Sequence, residues 1–203
     1  MSEEIRGKAR STVVWISLVG VFALLPAVSA MGEGMRFPLA ISYVSGVDDL
    51  VDQYEANLEF DGWFEYDNWQ WPVGLAFQPY YQWDNGVRLG MDVGPIIAIF
   101  GDTTHWQVPL NVNLGYTFNE EGSVAFFVRA GPSFHVADGD YYERSKVGVM
   151  AGIGLEFFRS DHTAIGIQAM YDSAKVEIAD LPNDRIVGIR AAEFSAGVYF
   201  LFK

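Results

Sequence analysis

From Trp106 to Phe118 the chain alternates at every step. Trp106, Val108, Leu110, Val112, Leu114, Tyr116 and Phe118 are apolar or aromatic, whereas Gln107, Pro109, Asn111, Asn113, Gly115 and Thr117 are polar or small. A period of two sends these sets to opposite faces of a β-strand. Two mid-strand asparagines fill a soluble core poorly. They suit a strand whose apolar face meets hydrocarbon and whose polar face lines a narrow lumen. Related patterning predicts eight strands, over residues 35–46, 71–83, 87–100, 106–118, 124–136, 146–158, 163–176 and 187–202. Each is long enough for a tilted strand to cross a bilayer, which takes roughly 9–11 residues.

The connections alternate in length. Asp84-Asn85-Gly86, the stretch from Asn119 to Ser123 and Arg159-Ser160-Asp161-His162 have tight-turn chemistry, and longer links fall between them. In these registers Gly74, Gly90, Gly94, Gly115, Gly131, Gly148, Gly152, Gly154, Gly166 and Gly197 point inward. An eight-stranded barrel has an interior only wide enough for side chains to fill, and glycine relieves crowding there. Trp71, Trp83, Trp106, Tyr116, Phe118, Phe200 and Phe202 gather near strand ends, as an interfacial girdle requires. The prolines in predicted strands, Pro79 above all, and Arg190, which a strict register turns toward lipid, call for bulges or breaks.

The first 30 residues read as a signal peptide, leaving a barrel domain over 31–203. Arg6, Lys8 and Arg10 precede an apolar stretch from Val13 to Leu25, and Ala27-Val28-Ser29-Ala30 offers a cleavage site. Losing that segment removes three basic residues and two acidic ones (Glu3, Glu4), moving the net charge from −13 to −14. Such acidity disfavours nucleic acid. With no cysteine, disulfides and thiol chemistry are excluded.

Signal peptide, eight strands, loop alternation and the aromatic last strand together resemble the small Gram-negative outer-membrane β-barrel proteins, the OmpA-like and OmpX-like group. The resemblance implies an all-β fold: an eight-stranded antiparallel up-and-down transmembrane β-barrel, with short turns and both termini in the periplasm and longer loops outside. It also implies outer-membrane lipid and lipopolysaccharide as surroundings, and the barrel-assembly machinery as a partner in biogenesis. That machinery reads a terminal aromatic; here Phe202 is followed by Lys203.

The lumen is expected to hold a polar network of Arg36, Arg88, Asp92, Asn113, Arg129, Glu156, Gln168 and Glu193, with Asn111 and Asp172 nearby. Charges in a narrow barrel are costly unless paired, so nearly balanced signs point to a salt-bridged plug. A gated ion or solute path is the alternative. The first long loop is acidic, and Val47, Leu50, Val51, Tyr54 and Leu58 give part of it helical spacing. Asp48, Asp49, Asp52 and Glu55 are its candidate ligands for divalent cations, although it lacks the EF-hand pattern. No cofactor is expected. Ser133, His135 and Glu143 have the residue types of a hydrolytic trio, which keeps an outer-membrane lipid A hydrolase in view. The expected function is non-enzymatic: a plugged barrel acting structurally or through surface loops. A soluble lipocalin-like barrel, with an apolar interior, is the remaining contrast.

Overall fold

The computed structural model describes residues 34–63, 68–70, 73–101, 103–119, 122–159 and 162–202. The expected signal peptide and Trp71 lie outside these residues. The chain begins with β1 (Met35–Val44), α1 (Val47–Phe60), β2 (Asn68–Gln70), β3 (Val73–Phe77) and β4 (Tyr80–Gln82). Next come β5 (Val87–Val93), β6 (Ile97–Gly101), β7 (His105–Phe118), β8 (Ala125–Gly139) and β9 (Tyr142–Lys146). The last strands are β10 (Gly148–Phe157), β11 (Thr163–Asp172), β12 (Lys175–Asp180), β13 (Arg185–Ile189) and β14 (Phe194–Phe202).

Antiparallel pairing closes a ring. In order it runs β7, β8, β10, β11, β14, β1, the interrupted strand made of β3 and β4, and β5, which returns to β7. This is an eight-stranded barrel among the described residues. Closure gives each of the eight ring strands a neighbour on both sides, which removes the free edges an open sheet would leave in the wall. The faces divide as the alternation demands. Leu114 is 61% exposed and Leu75 65%, whereas Asn113 is 3% exposed. Large apolar side chains therefore clothe the outside, and asparagine, arginine and carboxylate face the hollow.

Several predicted strands prove to be two. The segment 71–83 breaks at Gln78–Pro79 between β3 and β4, and 87–100 breaks at Gly94-Pro95-Ile96 between β5 and β6. Proline lacks the ladder donor, so breaks at these places follow from its chemistry. Pro109 stays inside β7, where that strand changes partner from β5 to β6. The segment 187–202 divides into β13 and β14 around a turn that holds Arg190 and places Ala192 at φ 74.

The loops also carry more structure than their composition signals. β9, β12 and β13 form a separate three-stranded sheet, continuing from the ends of β8, β11 and β14. α1 starts after Gly46, whose positive φ of 77 is natural for glycine, and Asp48 and Asp49 suit the positive N-terminal end of its dipole. Its apolar stripe (Val47, Leu50, Val51, Tyr54) packs with Ile97, Ile99, Val176 and Ile178 in a small core at the loop end.

Candidate functional site

The barrel interior and its mouth form one site, built in three levels. At the end carrying the tight turns, Tyr80, Phe127, Tyr199 and Leu201 cluster with Ala40, Ala76 and Ala164. β10 and β11 admit these rings because they present glycine. A methyl group at Gly154 would overlap Phe127, and one at Gly166 would overlap Tyr199. Glycine here is required by close approach.

Above the rings lie two ion pairs. Arg88 reaches Glu156 at 3.1 Å, and Arg129 reaches Asp92 at 2.8 Å, all four groups buried. The Arg88 guanidinium also sits 3.7 Å from the centre of the Tyr80 ring, while the Tyr80 hydroxyl donates to Glu156 at 3.3 Å. Arg159 closes on the other oxygen of Glu156 at 3.5 Å. Arg129 donates a further bond to Gln168 at 3.0 Å. Asn111 and Asn113 are buried on the same inner face, Asn111 directly across the β5–β7 ladder from Asp92. Fixed partners of this kind are what make buried charge tolerable.

Toward the mouth the ion pairs give way to a hydrogen-bonded relay that ends on the Asp172 carboxylate. Burial pushes the Tyr54 hydroxyl far above its usual range, so it is a protonated donor, and it lies 2.8 Å from Nδ1 of His105. If His105 accepts there, its Nε2–H donates to Gln107 Oε1 at 3.3 Å. The Gln107 amide then gives one hydrogen to Nδ1 of His135 (3.2 Å) and one to the Ala191 carbonyl (3.1 Å). His135 Nε2–H and the Ser133 hydroxyl both donate to Oδ2 of Asp172, at 3.2 and 2.5 Å. Asp172 Oδ1 accepts from the Ala174 amide at 2.9 Å. Each side-chain donor in this relay is matched, and Asp172 is the acceptor on which the bonds from His135, Ser133 and Ala174 converge.

That geometry is unlike a nucleophilic triad. In a triad the imidazole stands between serine and carboxylate. Here the carboxylate stands between serine and imidazole, and both ring nitrogens are occupied. Glu143 is exposed on β9, away from the pair.

Of the eight residues expected in the lumen network, Arg88, Asp92, Asn113, Arg129, Glu156 and Gln168 are brought together. Arg36 is half-buried at the turn end. Glu193 lies outside the lumen: the turn before β14 carries it to the rim, where it pairs with Arg190 at 3.0 Å. The missed break at residues 190–193 misplaced it. Asp48, Asp49 and Asp52 are exposed on α1 and Glu55 is half-buried; among the described residues no three acidic or histidine groups converge on a metal-sized site. Trp83, Tyr116, Phe118, Phe200 and Phe202 ring the outer surface at the turn end, and Trp106 lies at the loop end. Tyr43, Phe134, Tyr171 and Phe194 join Trp106 there as a second belt.

Sequence reasoning also missed the relay from Tyr54 to Asp172. The alternation from Trp106 onward placed Gln107 inward, whereas His105 was read as part of the preceding link. Their partners come from α1 and the far side of the ring, which no local pattern announces.

The profile of the family described as outer membrane protein beta-barrel domain matches residues 17–202. Among solved structures, the chain is similar to the outer membrane protein OprG from Pseudomonas aeruginosa, with TM-score 0.55 and 9% identity over 83% of this chain and 94% of that one. It is similar as well to Neisserial surface protein A (TM-score 0.48, 12% identity, 85% and 99% covered). A further likeness is to Ail, the attachment invasion locus protein of Yersinia pestis (TM-score 0.44, 15% identity, 84% and 96% covered). At such identities OprG speaks for the fold alone, and the other two add no argument. No curated protein matches the chain. A family profile that spans most of the sequence, on a closed ring with its apolar side outward, means that this chain belongs to the outer membrane protein beta-barrel domain family and resides in the outer membrane.

Proposed function

We propose that the chain is a non-enzymatic barrel with a closed lumen, which presents α1 and the β9–β12–β13 sheet as a platform at the cell surface. What supports the closed lumen is the succession of fillings along its axis: an aromatic cluster, two ion pairs, a hydrogen-bonded relay and the capping helix. The helix is held from two sides. Tyr54 bonds downward to His105, and Asn57 bonds sideways, donating to the Ala179 carbonyl at 2.6 Å and accepting from the Leu181 amide at 2.9 Å. Two such anchors favour a fixed cap over a swinging gate. The reversed order of Ser133, Asp172 and His135 favours a structural role for those groups over hydrolysis.

Planar-bilayer recording tests this proposal. The purified barrel is expected to give no steady conductance at neutral pH and moderate voltage. A large, sustained conductance with a defined unit size would replace the plug with the channel alternative.

A further inference from the structure

The acidic chain keeps an unusual share of its cations on one surface. β9, β12 and the turn after β13 carry Arg144, Lys146, Lys175 and Arg190. Lys146 stands opposite Lys175 in the β9–β12 ladder, so the two ammonium groups share a face. Arg144 and Lys146 both draw on one carboxylate, Glu177. Lys175 has no carboxylate partner among the described residues. Like charges set side by side cost stability in a bare sheet. Glu177 offsets only part of that cost, since it is one carboxylate for Arg144, Lys146 and the adjacent Lys175, so a further anion is favoured there.

Below that face the barrel wall is hollowed. An open groove of about 480 Å³ lies on the outer surface of β1, β14, β11, β10 and β8. Its floor is Ala151, Ala169 and Ala196, and Tyr43, Tyr171 and Phe194 stand around it. Tyr171 and Phe194 pack ring to ring at 5.2 Å between centres. The ladder fixes these neighbours: Ala196 pairs with Tyr43 on one side and Ala169 on the other, and Tyr171 pairs with Ala151 and Phe194. The groove therefore lies at the loop-end half of the wall. Its strands continue directly into the basic surface. Lys146 precedes β10 by two residues, Lys175 follows β11 by three, and Arg190 precedes β14 by four.

We infer that groove and basic face together bind one phosphate-bearing, acylated lipid of the outer leaflet, lipopolysaccharide. Lys146 and Lys175 meet its phosphates, with Arg190, which Glu193 already pairs, at their edge, and an acyl chain lies in the groove among Tyr43, Tyr171 and Phe194. Charge complementarity selects the headgroup, since phosphate neutralises the Lys146–Lys175 pair that Glu177 leaves in excess. Position selects the leaflet, because the cations stand just beyond the apolar band at the end that carries the loops. The inference holds whether or not the lumen conducts.

Native mass spectrometry of the full chain released from detergent, with lipid A as the probe, tests it. The chain is expected to retain lipid A in preference to its dephosphorylated form and to phosphatidylethanolamine, and millimolar inorganic phosphate is not expected to displace it. Lys146→Gln, Lys175→Gln and Arg190→Gln combined should weaken retention on the order of tenfold to a hundredfold. Ala169→Phe, which fills the groove from the lipid side and leaves the interior untouched, should also weaken it. Heat-dependent gel mobility verifies that both variants are folded. Equal retention of lipid A by wild type and either folded variant would overturn the site, as would equal binding of dephosphorylated lipid A. Displacement by inorganic phosphate would overturn its lipid character.

Discussion

Glu156 is surrounded by groups that have no reason to meet in a solvent-filled pore. Arg88 and Arg159 approach its two oxygens, and the Tyr80 hydroxyl shares the first. Removing a buried cation leaves its carboxylate desolvated and short of a partner, a loss of about 3–5 kcal/mol. Arg88→Met is therefore expected to lower the urea midpoint in detergent strongly. Arg88→Met with Glu156→Gln should recover part of that loss, because the under-paired carboxylate has gone while Arg159 keeps its bond to the Gly122 carbonyl. Equal stability of the single variant and wild type would mean that the pair is hydrated and the plug is not tight. The aromatic level makes the same demand from the other side, since Gly154 and Gly166 leave the space that Phe127 and Tyr199 occupy.

At the scale of elements, α1 and the three-stranded sheet share one apolar core, and each adds a polar hold of its own. Tyr54 inserts a neutral hydroxyl into the relay, and removing it strands Nδ1 of His105. Tyr54→Phe should weaken cap docking by about 1–3 kcal/mol. The change is read as faster amide exchange across residues 47–60 with barrel strands unchanged. Unaltered exchange there would show that the cap is held by its apolar stripe alone.

The sheet adds ion pairs to its share of that core. Lys146 and then Arg144, by their bonds to Glu177, hold its carboxyl below the usual range. A carboxylate depressed in the folded state lends stability above its unfolded value, near about 4.3, and loses it as pH falls through the lower folded value. Arg185 and Asn183 act likewise on Asp180. Intrinsic-rate-corrected exchange along residues 142–146 should stay constant from neutral pH to about 5 and rise only below about 4. A rise between pH 7 and 5 would assign the sheet's hold to some other group.

These same elements were the least legible in the sequence. The helical spacing of Val47, Leu50, Val51, Tyr54 and Leu58 predicted α1. Nothing local announced that residues 137–146 and 175–189 would pair into a sheet, because short, charged strands such as Tyr142–Lys146 have no alternating apolar face.

At the scale of the whole molecule, the fold was legible because a barrel repeats one constraint around its ring: each spanning strand must be apolar outward and small, polar or paired inward. Trp106 to Phe118 states that constraint almost without exception. The deviations had physical causes, with proline dividing β3 from β4 and β5 from β6, and the turn at Arg190 dividing β13 from β14. The site was legible to the extent that strand parity determines it. Arg88, Asp92, Arg129, Glu156 and Gln168 follow from parity, whereas Glu193 and the partnership of His135 with Asp172 depend on turns and on ring closure.

The absence of cysteine makes the central claim directly measurable. Single cysteines at Asn111, Val112, Asn113 and Leu114 can each carry a small fluorophore, read with a quencher confined to the lipid and another confined to water. The account predicts lipid quenching at Val112 and Leu114. At Asn111 and Asn113 it predicts that labelling of the folded barrel is blocked and becomes possible after unfolding. Lipid quenching at the asparagine positions, or free aqueous labelling of all four in the folded protein, would contradict it.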